Sequence, residues 1–289
     1  MNDNAPVLSL RGVSKVFGDP RNGVRALVDV SFDLLPGRAL ALVGGSGSGK
    51  TTCARILTGL EKPSAGGVQF KGRDIATLTA AAERRSFARA VQMVFQDPYA
   101  ALNPVHSIHH HLVRPLKLHG GLTSGQSAEA AVAALLTEVG LDPAKIQHRY
   151  PHELSGGQRQ RVNIARALAA KPDVILADEP TSMLDVSLRI GVLTVLRKLK
   201  TEKRLALLYI THDLATAEHV ADEIAVMHNG RIVEQGPARQ IILAPAHAYT
   251  RTLLAAAPNA DRAMRSASDQ RLRAARHAEN SAFADGSGG

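Results

Sequence analysis

Short apolar runs, none of them long, set the pattern along this chain. Ala39 to Val43, Val174 to Ala177 and Leu205 to Ile210 are continuous apolar stretches of strand length. Each hands over to polar residues: Gly44-Gly45-Ser46 after the first, Asp178-Glu179-Pro180 after the second, Thr211-His212-Asp213 after the third. Runs buried on both faces that all deliver polar residues at their C-terminal ends predict a parallel sheet with ligands gathered along one edge. Ahead of them, Val7 to Val13 and Ala26 to Leu34 are rich in β-branched and aliphatic residues, and Pro36-Gly37 turns the chain into the run at Ala39. Between the first two runs the period changes. Ser107 to Leu118, Ser127 to Val139 and Gln158 to Ala169 read as helices, the last with Val162, Ala165, Leu168 and Ala169 on one buried stripe. The pattern therefore predicts an α/β fold with a mainly helical subdomain, roughly Pro98 to Ala170, inserted into it. Asn229-Gly230, between Ile224 to Met227 and Arg231 to Glu234, predicts a hairpin.

Bulk properties narrow the class only a little. The 289 residues, 45% hydrophobic and 21% charged, are enough for a substantial core. No apolar run approaches the roughly 18 to 20 residues that cross a bilayer. Met1-Asn2-Asp3-Asn4 lacks the basic and apolar regions of a secretory signal, and the one cysteine, Cys53, has no partner for an internal disulfide, so a cytoplasmic location is expected. Thirty-five basic against 26 acidic residues give +9, which suits an anionic nucleotide, nucleic acid or an anionic membrane face without choosing among them. After Pro258 the composition shifts to Ala, Arg, Asp and Ser. Residues 262–277 hold five arginines and one aspartate, so 258–289 reads as a tail, either frayed or a basic segment for anionic lipid or a partner.

The chemistry sits where the apolar runs end. Gly44-Gly45-Ser46-Gly47-Ser48-Gly49-Lys50-Thr51 matches the phosphate-loop pattern between a strand and a helix-like stretch. Glycines let backbone N–H groups curl around phosphate oxygens, Lys50 reaches the β and γ phosphates, and the Thr51 hydroxyl takes Mg²⁺. A Gly/Ser linker does not place Lys-Thr-Thr (Lys50, Thr51, Thr52) between such elements. Asp178 and Glu179 are two carboxylates that can divide the work of phosphoryl transfer, Asp178 on the metal side and Glu179 as base for the attacking water. His212 stands where a side chain reaches the γ-phosphate, and Gln96, in Val94-Phe95-Gln96-Asp97-Pro98, ends another β-like run and can offer its amide oxygen to Mg²⁺. Ser155, Gly156 and Gly157 precede a helix, so a hydroxyl and backbone N–H groups at its positive end form a second anion cradle. Consecutive helical residues point about 100° apart, so His109, His110 and His111 do not converge on one ion; of the nearby histidines only His106 and His110 share a face. Cys53 reads as a small packed residue rather than a redox sensor.

Leu154-Ser155-Gly156-Gly157-Gln158 decides among phosphate-loop enzymes: together with the loop at Gly44 to Thr51 it resembles the ABC ATPase family over about Val7 to Ala257. The resemblance implies a phosphate-loop (RecA-like) core, a small antiparallel β subdomain and the inserted helical subdomain, in one ABC ATPase domain over 1–257. It makes ATP with Mg²⁺ the ligands, held by Gly44, Ser46, Gly47, Gly49, Lys50, Thr51 and Thr52, with Thr51, Gln96 and Asp178 toward the metal. Glu179 and His212 become catalytic, and Ser182-Met183-Leu184-Asp185 the D-loop. The family dimerises head to tail, so Ser155 to Gln158 would contact the opposite subunit's nucleotide. Phe17 resembles the aromatic that stacks on adenine, and reads equally as a core phenylalanine.

Gln96 to Pro104, Arg149-Tyr150-Pro151-His152-Glu153 and His247-Ala248-Tyr249-Thr250-Arg251-Thr252-Leu253-Leu254 are similar to the oligopeptide and dipeptide importer ATPases, a branch that also includes nickel and oligosaccharide importers. This chain departs from that branch in three places: His-Ala-Tyr-Thr replaces His-Pro-Tyr-Thr, the late cysteines of some members are absent, and Met183 stands where alanine is usual. The resemblance implies a second ABC ATPase subunit, identical or not, two transmembrane permease subunits, and indirectly an extracytoplasmic solute-binding protein. The chain would then lie peripherally on the cytoplasmic face of the cell membrane, with no nucleic acid partner. Soluble ABC proteins of DNA repair or translation form the competing class. Repair members carry long coiled coils before the signature, whereas the 103 residues between Thr51 and Ser155 contain no sustained heptads. Translation members usually carry two cassettes, and a small-molecule kinase leaves the signature unexplained.

Overall fold

The computed structural model describes residues 5–19, 22–119, 122 and 127–256. The 258–289 tail and its arginines lie outside the described residues. Apolar alternation on the first two strands, β1 (Leu8–Phe17) and β2 (Val24–Leu34), pairs them antiparallel. Both run further than the apolar runs suggest: β1 reaches Phe17 through register shifts that break the alternation between Leu10 and Val16. The buried run β3 (Ala39–Val43) leads through the glycine loop into α1 (Lys50–Leu57). Next come β4 (Ala65–Phe70), β5 (Arg73–Asp74), α2 (Ala81–Ala90) and β6 (Val91–Val94). Of these only the end of β6 is legible as a strand. Gly66 and Gly67 disguise β4, where a Cβ on Gly66 would run into the Gly12 carbonyl of the neighbouring strand.

From β6 to the next strand the chain is helical: α3 (Pro98–Ala101), α4 (Ile108–Leu118), α5 (Ala128–Glu138), α6 (Pro143–Ile146) and α7 (Gly156–Leu168). The hydroxyls of Ser107, Ser127 and Ser155 accept from the N–H groups of His110, Ala130 and Gln158 and so start α4, α5 and α7. Strand β7 (Val174–Asp178), helix α8 (Val186–Lys203) and strand β8 (Ala206–Thr211) follow, then α9 (Leu214–Glu218), the hairpin β9 (Glu223–His228) and β10 (Arg231–Pro237), α10 (Ala238–Leu243) and α11 (Ala248–Ala256).

Two sheets result. The smaller has the order β2-β1-β4-β5 and is antiparallel; the larger runs β10-β9-β3-β8-β7-β6, parallel except for the β9–β10 hairpin. Period-two alternation gives the large sheet two different faces. Leu40 and Leu42 of β3, with Leu208 and Ile210 of β8, pack with α1 and the small sheet. Ala39, Ala41 and Val43, with Leu207 and Tyr209, face the helices instead. Parallel register then aligns the strand ends: Val43 pairs with Thr211, Asp178 with Ile210 and Val94 with Ala177. The loop at Gly44, the Asp178-Glu179 pair, His212 and Gln96 therefore leave the sheet along one edge, as the run endings predict.

Candidate nucleotide site

The glycine loop is built for close approach. Gly47 sits at φ +75° with open space where a Cβ would be, and Gly49 at φ +107° has the Ala26 carbonyl oxygen 2.5 Å from that position. A Cβ on Gly44 would run into the Met227 carbonyl. Lys50 curls back over the loop and donates to the carbonyls of Gly44 and Gly45, each at 2.8 Å. Its burial holds the ammonium below its ordinary pKa, against the pull of Glu179 and Asp178. The Ser48 hydroxyl, to which the sequence pattern gives no separate role, is buried without a hydrogen-bond partner. A curled loop with a buried lysine and a buried hydroxyl free to bond a ligand fits a polyphosphate.

Behind the loop, the Thr51 hydroxyl donates to Asp178 Oδ1 at 3.4 Å. Burial raises the Asp178 pKa; the Thr51 hydrogen bond and Lys50 oppose that rise, and Glu179 adds to it. Among the described residues no three His, Cys, Asp or Glu side chains group to hold a metal. The Thr51 hydroxyl and the Asp178 carboxylate, already in contact, instead suit a hard cation that completes its shell with phosphate oxygens and water, so these two residues fit Mg²⁺ arriving with a nucleotide.

Glu179 occupies the left-handed region at φ +44°, an uncommon conformation for a non-glycine residue. Its N–H donates to Ile210 and its carbonyl accepts from the backbone and hydroxyl of Ser182, which lock the turn. The carboxylate that this turn presents meets two other strand-end residues. Gln96 Nε2 lies 3.4 Å and His212 Nδ1 3.3 Å from the same atom, Glu179 Oε2. Two residues singled out separately in the sequence thus converge on one oxygen of a third.

The signature stands elsewhere. Ser155 and Gln158 cap each other reciprocally, the hydroxyl accepting from Gln158 N–H at 3.3 Å and the amide oxygen accepting from Ser155 N–H at 3.0 Å. Helix α7 packs on α3, α4, α5, α8 and β6, whereas α1 packs on β1, β2 and β7. Three contacts tie α7 to residues 95–101, the segment around and after Gln96. Gln160 Nε2 donates to the Phe95 carbonyl at 3.4 Å, Arg166 donates to the Ala101 carbonyl, and the Arg159 guanidinium lies 3.9 Å from the Tyr99 ring centroid. Arg159 also donates to the Pro151 carbonyl at 2.6 Å, so it joins Tyr99 to the turn before the signature.

Phe17 is 42% exposed at the end of β1 with Lys15 Nζ 4.9 Å from its centroid, which removes the core reading. Thr52 is half-buried in the first turn of α1, and Cys53 beside it is buried, its thiol pushed up to about 12 by burial, in keeping with a packed residue. His106 and His110 stack at 4.0 Å, and His111 Nε2 sits 3.0 Å from the Asn103 carbonyl.

Residues 27–182, over half of the chain, match the family model described as ABC transporter. The chain belongs to the ABC transporter family. Residues 233–286 of this ATP-binding cassette match a second model, the oligopeptide/dipeptide transporter C-terminal region. The cassette is 45% identical over 266 residues to the glutathione import ATP-binding protein GsiA of Salmonella typhimurium, and 46% identical to that of Escherichia coli. Those alignments take in 90% of this chain and 42% of each relative, so the chain spans less than half the length of these curated relatives. Among solved structures it is similar to the dimeric post-hydrolysis state of the ATP-binding cassette MJ0796 bound to ADP and Pi, with 30% identity and a TM-score of 0.70, over 80% of this chain and 99% of that one. CbiO1 from Clostridium perfringens matches with 25% identity and a TM-score of 0.70, over 90% of this chain and 99% of that one.

Proposed function

We propose that this cassette is the ATP-hydrolysing subunit that powers import of oligopeptide- or dipeptide-class solutes through separate membrane subunits. The convergence of Gln96 and His212 on Glu179 Oε2, beside a phosphate loop, carries the hydrolytic part of this reading. The C-terminal match at 233–286 carries the peptide class, and the relatives' name, glutathione import, points to the same chemistry.

In this reading the backbone of Gly44, Ser46, Gly47 and Gly49 wraps the phosphates, Thr51 and Thr52 sit at the positive end of α1, and Lys50 faces the β and γ oxygens. Thr51, Asp178 and, through its amide oxygen, Gln96 would hold Mg²⁺, which offsets phosphate charge when bound. Glu179 accepts a proton from the attacking water at its Oε2, and His212 fixes that carboxylate and the γ-phosphate in line. Phe17, half exposed at the end of β1, would offer a ring face to adenine. Ser155, Gly156, Gly157 and Gln158 face a second cassette, identical or not, and complete its site. The ties from α7 to 95–101 carry closure between the γ-phosphate and the helical part over 98–170, and from there to two permease subunits.

No helix among the described residues is long and apolar enough to cross a membrane. The family match and the import relatives support a peripheral place on the cytoplasmic face, beneath permeases fed by an extracytoplasmic binding protein. Residues 1–257 then form the motor and 258–289 a tail. Repair, translation and small-molecule kinase readings leave the C-terminal match unexplained. The test is affinity capture of the full chain from solubilised membranes. Recovery of permease subunits and peptide-dependent stimulation of ATPase activity are expected; capture of DNA-repair or ribosomal proteins in their place would overturn the transporter reading.

A further inference from the structure

The phosphate loop is braced by residues far beyond the 27–182 match. The Tyr249 hydroxyl, on α11, accepts the Gly45 N–H at 3.0 Å across 204 positions of sequence. The tyrosine ring stacks on His228 at the end of β9, with centroids 3.8 Å apart and planes 29° from parallel. Two residues on, Gly230 N–H donates to the Ser48 carbonyl at 3.1 Å. Helix α11 is itself anchored: the Glu234 carboxylate of β10 accepts from the N–H groups of Ala246 at 2.7 Å and His247 at 3.1 Å, and Tyr249 N–H donates to His247 Nδ1 at 3.1 Å. Lys50 meanwhile holds the carbonyls of Gly44 and Gly45. The residue before Ser46 therefore has both its N–H and its C=O engaged, which fixes the orientation of the peptides entering the cradle.

We propose that Tyr249 is a positioning residue for nucleotide binding, holding Gly45 so that the C-terminal region sets the shape of the phosphate loop. This rests on the reading of Gly44 to Thr51 as the ATP site. A preorganised loop binds more tightly because less ordering remains to be done when the phosphates arrive. The hydroxyl is the working group and the ring its support, since stacking on His228 aims the oxygen at Gly45. The shape-preserving change Tyr249→Phe keeps the stack and removes one neutral hydrogen bond, which predicts ATP affinity lower by about 2- to 10-fold. Because Tyr249 acts on the loop and not on Glu179, KM rises while kcat changes little.

Gly45 supplies the partner for a double-mutant cycle. It lies outside the left-handed region, so alanine fits its backbone, but the added Cβ would sit 3.0 Å from the Tyr249 hydroxyl. Removing that hydroxyl makes room, so Gly45→Ala should cost less in the Tyr249→Phe background than in the parent. The experiment is equilibrium binding of a fluorescent ATP analogue to the purified full chain for the parent, both single variants and the double, with melting temperatures to confirm folding. Weaker binding by Tyr249→Phe and a non-additive cycle are expected. Parent affinity in Tyr249→Phe, or strict additivity, overturns the proposal. A parent chain that binds no nucleotide would overturn the reading of the loop itself, and that control separates the two failures.

Discussion

Replacing Glu179 with glutamine separates chemistry from binding, because it keeps the shape and removes the base. A positioned general base contributes about 10²- to 10⁴-fold, or about 2.7 to 5.4 kcal/mol of barrier. The structure limits what else is lost. The side chains of His212 and Glu179 are 59% and 20% exposed, and solvent-screened pairs are worth about 0 to 1 kcal/mol, so the fold loses little. The amide oxygen of glutamine still accepts from Gln96. Both carboxylates, Asp178 and Glu179, lie close enough to Lys50 to act on its charge, and removing one lessens the repulsion felt by incoming phosphates. ATP affinity is therefore expected to stay equal or tighten while turnover falls at least about 100-fold. Phosphate release under saturating MgATP gives the first quantity, and equilibrium binding the second. Turnover above about a tenth of the parent rate in folded Glu179→Gln would refute the role of Glu179.

Lys50→Ala should fail at binding instead, since it removes the buried cation from the loop; nucleotide affinity equal to the parent's would contradict this. Asp178 has a folded-state pKa raised above its ordinary 3.8, so its stability contribution is full below that value and is lost as the pH rises through the raised one. Asp178→Asn should accordingly melt higher than the parent at neutral pH, with the gain shrinking toward acid; a gain that does not vary with pH would refute the burial argument. Cys53, fully buried with its thiol near 12, should resist a thiol reagent in the native chain and react only on unfolding; rapid stoichiometric labelling of the folded protein would contradict its packing.

Much of the site is legible in the sequence because phosphate chemistry is local. A continuous run such as Val174 to Ala177 announces a buried strand, and its polar ending announces the ligand edge. The hairpin at Asn229-Gly230 is equally local. Helix α8 also leaves a signal: Val192, Val195, Leu196 and Leu199 recur at helical spacing and are all buried. Helix α2 buries only Phe87 and Ala90, too few to mark a stripe. The run endings foreshadow the convergence on Glu179 Oε2 in outline, but the distances follow from parallel register, which one strand does not reveal. Tyr249 belongs to a motif that sequence similarity flags without giving it a role. Its contact with Gly45 comes from tertiary packing of α11 against the loop and leaves no periodic or spacing signal.

The central claim is that ATP bound at one cassette is hydrolysed only when another cassette's Ser155 to Gln158 closes over it. Ser155→Arg tests this most directly, by measuring nucleotide affinity and ATPase rate on one preparation, with any partner cassette and the membrane subunits present. The Ser155 hydroxyl caps α7 and lies apart from the packing of α1, so the mutant's own loop should bind ATP at parent affinity while the bulky cation blocks closure and abolishes hydrolysis at the neighbouring site. Parent-level ATPase activity from folded Ser155→Arg would contradict the two-subunit site, and with it the account of this chain as a transporter motor.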